Sequence, residues 1–177
     1  IISDNIMLGD IYMRAKELRV GADIPRGVFV VRSLKKGESV PTDTVQALFP
    51  DRQSDFVLSV GDGDVALIRQ MPEGSNVKEL NKIAVSIEEA LRVEGESTVV
   101  VGIGTIAIHL RDLAKSYKEA QIAIEVGKVF DTEKYVINYE NLGIGRLIYQ
   151  LPTTLCEMFL QEVFKKNPID ALDRETL

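Results

Sequence analysis

A chain of 177 residues is long enough for one domain with a true core, and 45% hydrophobic against 27% charged residues excludes a disordered polymer. A net charge of −6 and a pI of about 4.9 set an acidic surface against nucleic-acid phosphates, so this chain is not expected to grip DNA itself. The single cysteine, Cys156, excludes an internal disulfide, and no run of about 20 apolar residues is present to cross a membrane; a reducing, cytoplasmic setting is the expectation.

In chain order, Ile2, Ile6, Ile11, Tyr12, Met13, Ala15 and Leu18 recur at helical spacing and predict a helix over 2–18, closed by Gly21 and Pro25. The apolar run Val28-Phe29-Val30-Val31 predicts a strand over Gly27–Arg32 with both faces covered. After a turn at Lys35–Glu38, a short helix is expected over Thr42–Leu48, capped by Thr42 or Asp43. Asp55–Val60 and Asp64–Gln70 read as a β-hairpin around Gly61-Asp62-Gly63. Asn76 and Glu79 fit a capping box, opening a helix whose Leu80, Ala84, Ile87 and Leu91 share a face and which stops at Gly95. Thr98–Ile103 is a second apolar strand. Leu110, Leu113, Tyr117, Ala120 and Ile124 then mark a helix ending near Gly127, and Tyr135–Tyr139 a last short strand. Pro152 splits the remainder into helices over about 144–150 and 153–165. The sum is an α+β fold: a mainly antiparallel sheet of four or five strands flanked by helices, with helical segments at 1–25 and 144–177 around a unit at 26–143. The chain starts without Met and stops on Asp173-Arg174-Glu175-Thr176-Leu177, which sets the expectation of an excised fragment.

Val100-Val101-Gly102-Ile103-Gly104, then Leu113, Ser116-Tyr117, Glu119-Ala120 and Ala123, then Tyr139-Glu140-Asn141-Leu142-Gly143 and Leu147 form a combined pattern. It resembles the central domain of the sugar-diacid regulators and PucR-type transcription factors, a degenerate relative of the diguanylate cyclase (GGDEF) fold. The resemblance covers roughly 26–150. It implies a regulatory, homodimeric module that relays the state of a small acidic or purine-related metabolite to a DNA-binding helix-turn-helix domain beyond this chain. It also implies where a cyclase would carry its chemistry. The hairpin turn here reads Val60-Gly61-Asp62-Gly63-Asp64 in place of Gly-Gly-Asp-Glu-Phe, and the first strand, Gly27–Ser33, holds no carboxylate. Nucleotide condensation needs carboxylates converging on a divalent ion, so no catalytic residue, metal ligand or cofactor is assigned.

The candidate ligand contacts are Arg26, Arg32 and Arg69 at strand ends, the hairpin carboxylates Asp62 and Asp64, and His109, the only histidine. Asp62 is first a turn residue, since Asp before Gly suits a tight turn. The candidate interface residues are Ile6, Tyr12, Leu155 and Phe159 on the terminal helices. Gly102 and Gly104 are read as sites of close strand-to-helix packing, and Tyr117 as an anchor of its helix to the sheet. Cys156, between Leu155 and Met158, is read as a packing residue. Two other readings stay open: a Mg-dependent nucleotide cyclase or other phosphoryl-transfer enzyme, and a stand-alone metabolite-binding module.

Overall fold

The computed structural model describes residues 8–17, 20–93, 98–130 and 134–166. It divides into two compact units, Ile1–Arg146 and Leu147–Leu177. The first unit is built on a five-stranded sheet: β1 (Arg26–Ser33), β2 (Asp55–Val60), β3 (Asp64–Gln70), β4 (Val99–Ile103) and β5 (Val136–Asn138), in the order β2-β3-β1-β4-β5. All pairings are antiparallel except β4 with β5. β1 is central because its run from Val28 to Val31 is apolar at every position, which suits burial on both faces. The expected α+β class with a mostly antiparallel sheet is what the chain adopts.

The period-two alternation of the strands sorts side chains between two cores. Phe29, Val31, Leu67, Val101 and Ile103 face α2 (Thr42–Leu48) and α3 (Val77–Val93), packing on Leu80, Ala84, Ile87 and Leu91. Val30 and Val100 face the other way, against Ala120, Ala123 and Ile124 of α4 (Leu113–Phe130). Val28 and Ile68 meet Leu110, Leu113 and the α1 (Leu8–Glu17) residues Ile11 and Ala15.

Several local signals hold. Asn76 N–H donates to Glu79 Oε2 at 2.9 Å while Asn76 Oδ1 accepts from Lys78 N–H at 2.9 Å, starting α3 as expected. Gly61 and Gly63 take φ of +55° and +110°, which turns β2 back into β3. Pro152 separates α5 (Ile144–Gln150) from α6 (Thr153–Lys166), its carbonyl accepting from Leu155 N–H at 2.9 Å.

Others need correction. α2 starts at Thr42 with Pro41 at its cap, and no side chain caps it. Neither Thr42 nor Asp43 therefore acts as the cap. α4 does not end near Gly127 but runs to Phe130 after a 3-10 turn at Leu110–Asp112. The helix runs on through Gly127, where a β-carbon would lie 2.1 Å from Ile137 Cδ1, so the glycine lets the helix lie close on β5. The first helix is described over Leu8–Glu17; the remainder of the expected 2–18 span, and the stop at Gly95, lie outside the described residues.

Candidate functional site

One cleft, of about 360 Å³, lies at the end of β1 beside the hairpin. Its walls are the turn at Lys35–Glu38, the hairpin residues Gly61 and Asp62, and Tyr117 and Gln121 of α4. The register brings these together: Val31 pairs with Val65, so one step on Arg32 and Asp64 stand side by side on the face toward α4. Arg32 Nε lies 3.1 and 3.0 Å from the two Asp64 carboxylate oxygens, and Nη2 lies 2.8 Å from Oδ2. The remaining guanidinium nitrogen, Nη1, donates to Glu125 Oε1 on α4. The Asp64 hydrogen bond, more than any other influence, holds the Arg32 guanidinium in its charged form. Tyr117, whose hydroxyl accepts from Gln121 Nε2 at 3.3 Å, closes the cleft from above. Burial raises its phenol pKa, and the Asp64 charge adds to that.

The two hairpin carboxylates are therefore not equivalent. Asp64 is spent on Arg32, while Asp62 is exposed at the turn, as its place before Gly63 foretells. Among the described residues no group of three or more His, Cys, Asp or Glu side chains is placed to hold a metal ion.

The three candidate arginines do not converge. Arg26 and Arg32 sit at opposite ends of β1. Arg26 is 1% exposed, out of reach of a ligand from solvent. Its Nη1 and Nη2 donate to the carbonyls of Ile24 (3.0 Å) and Gly21 (2.6 Å), while its buried Nε has no partner among the described residues. It fastens the connector before β1 to the sheet. Arg69 lies on the opposite sheet face, 3.3 Å from Asp55 Oδ2 and 5.0 Å from the centre of the Phe49 ring. Asp55 is buried, its Oδ1 unpartnered among the described residues, and burial pushes its carboxyl pKa up against the opposing pull of Arg69. His109 begins the 3-10 turn, its Nδ1 2.8 Å from Asp23 Oδ1, far from the hairpin.

Of the interface candidates, Ile6 lies outside the described residues, as do the side chains of Tyr12 and Phe159; Leu155 is exposed on α6, and Cys156 beside it is half-exposed.

The glycine-rich strand end proves to be a packing device. A β-carbon on Gly102 would come within 2.2 Å of the Ala120 carbonyl oxygen, and one on Gly104 within 2.0 Å of that of Ser116. Ser116 Oγ donates to the Thr105 carbonyl at 2.6 Å. The buried Glu119 accepts from Thr105 N–H at 3.0 Å and from its hydroxyl. Ser116 and Glu119 thus clamp the peptide that follows Gly104, while Ala120 lies against Gly102.

Sequence reasoning did not foresee Glu125 as the second partner of Arg32, nor a group of asparagines on the far side of the sheet. Comparison with family models matches residues 4–126 to one described as the GGDEF-like domain. Comparison with curated proteins gives no match.

Proposed function

The chain belongs to the GGDEF-like domain family, and on that premise we propose that it is a non-catalytic regulatory and oligomerisation module of a metabolite-responsive transcriptional regulator. In this reading it acts in the cytoplasm as a homodimer and passes its state to a DNA-binding domain outside this chain. The observation that carries the non-catalytic part is Arg32. Phosphoryl transfer on a nucleotide requires carboxylates free to hold a divalent ion against phosphate oxygens. Here a guanidinium projects from the central strand into that place and takes both Asp64 oxygens and a Glu125 oxygen. A cation already fixed in the site repels a second one.

The test is incubation of the chain with labelled GTP and Mg²⁺. No condensed or cleaved nucleotide is expected above the protein-free rate. Saturable turnover that disappears in an Asp62→Ala, Asp64→Ala double variant would overturn the reading. For the regulatory part, hydrogen exchange on the full-length protein, free and on DNA, is expected to differ in α1 and α6; identical exchange removes the relay.

A further inference from the structure

A second cleft, of about 460 Å³, lies at the other edge of the sheet, within the first unit. Its volume falls within the range of small-molecule sites. The C-terminal turns of α4, β5, the 3-10 turn at Tyr139–Leu142, α3 and the first residues of α5 enclose it. Its apolar walls include Val126, Ile137 and Leu142, and its polar groups are chiefly amides: Asn81, Asn138 and Asn141. Lys134, the one charged lining residue among the described residues, is exposed and already has a partner of its own.

The hydrogen bonds fix which way the two inner amides face. Glu140 N–H can only donate, and it lies 3.0 Å from Asn138 Oδ1, so that oxygen is spent capping the 3-10 turn. Asn138 is 4% exposed, and its Nδ2 must then donate outward; it does so to Asn81 Oδ1 at 3.2 Å. Asn81 is thereby turned with its oxygen inward, and its own NH₂ has no partner among the described residues. Among the described residues Asn138 Nδ2 has that one acceptor, which leaves its second hydrogen for a ligand. Among the described residues the cleft therefore offers amide donors above an apolar floor, with no carboxylate or guanidinium in its lining.

We infer that this cleft binds an uncharged, flat small molecule bearing ring carbonyl acceptors, of the cyclic amide or cyclic urea class. The acceptors meet the Asn81 and Asn138 amide hydrogens, the ring lies on Val126, Ile137 and Leu142, and the exposed Asn141 amide at the lip serves a ring N–H. Ile144 and Gly145 belong to the same lining and begin α5, the helix that continues into the second unit, and Arg146 is held 5.7 Å from the Tyr139 ring centre. A bound ring would therefore touch the root of that helix. Its role as an effector rests on the regulatory reading, whereas binding itself does not.

The experiment is a two-dimensional amide NMR titration of the whole chain with uracil and 2-pyridone, and with succinate as the charged contrast, each to about 5 mM. At least one cyclic amide is expected to give saturable shifts centred on Asn81, Asn138, Ile144 and Gly145, with succinate giving none there. Affinity is expected to fall about tenfold or more in Asn81→Leu, which removes the free donor. Because that variant also breaks the Asn81–Asn138 bond, Ile144→Arg serves as the second: position 144 is 72% exposed, so the fold tolerates the change while the new side chain crowds the mouth. Absence of saturable shifts with both cyclic amides, shifts centred elsewhere, equal binding of succinate, or undiminished binding in Ile144→Arg each overturns the inference. A GTP-turnover result leaves it untouched, so failure here and failure of the regulatory reading are told apart.

Discussion

At the scale of single residues, the most sensitive positions are those where backbone meets backbone. At Gly104 an added methyl group would stand 2.0 Å from the Ser116 carbonyl oxygen, an atom that cannot rotate away. Gly104→Ala is expected to destabilise the chain by about 3 kcal/mol, read as a lower urea midpoint with an unchanged slope. A loss within error of zero would mean that α4 can back away freely. Asp55 supplies a different signature. Its folded-state pKa is raised, chiefly by burial, so stability from its protonated form is complete at low pH. That stability drains as pH rises through the raised value. Asp55→Asn abolishes the drain. Urea unfolding at about pH 3 and about pH 7 should therefore show the variant gaining on the wild type as pH rises. A difference that stays constant or moves the other way contradicts the assignment.

At the scale of elements, the ion pair that joins β1 to β3 is shielded enough to count. The Arg32 and Asp64 side chains are 22% and 17% exposed and meet through three short contacts. A double-mutant cycle with Arg32→Gln and Asp64→Asn is expected to give a coupling of about 1–2 kcal/mol; a coupling below about 0.5 kcal/mol would place the pair with ordinary surface ion pairs. This scale also separates what the sequence makes legible from what it hides. The hairpin, the Asn76–Glu79 box, the Pro152 break and the apolar run Val28–Val31 of the central strand are written in neighbouring residues, and each appears where expected. The Arg32–Asp64 pair spans 32 residues and Asn81–Asn138 spans 57. Neither can be seen until strand register and helix placement are known. The run of α4 through Gly127 is hidden for the same reason: a glycine that reads locally as a stop is there to meet Ile137. Arg26 shows the converse, a charged residue at a strand end that the sequence offers to a ligand and tertiary packing encloses.

For the first unit as a whole, the arrangement of strands predicts a gradient of protection. β1 is hydrogen-bonded on both sides and covered on both faces, whereas β2, among the described residues, pairs with β3 alone and carries an exposed Leu58. Native-state hydrogen exchange should be slowest at Val28–Val31 and faster over Val57–Ser59. Equal rates would mean that the sheet opens as one body. Among the described residues no helix is long and apolar enough to cross a membrane. Family membership rests on residues 4–126. The asparagine-lined cleft reaches past that span into the start of α5, so chemistry there need not follow the rest of the family.

The junction of β4 with α4 has a mechanical corollary. Two glycines leave no cushion of side chains between strand and helix, and Ser116 and Glu119 pin the peptide beyond them. Sliding or rolling between these parts would drive carbonyl oxygens into main-chain carbon, so the two are welded and must travel as a single lever. Motion delivered to either end of α4 would then arrive undamped at the other.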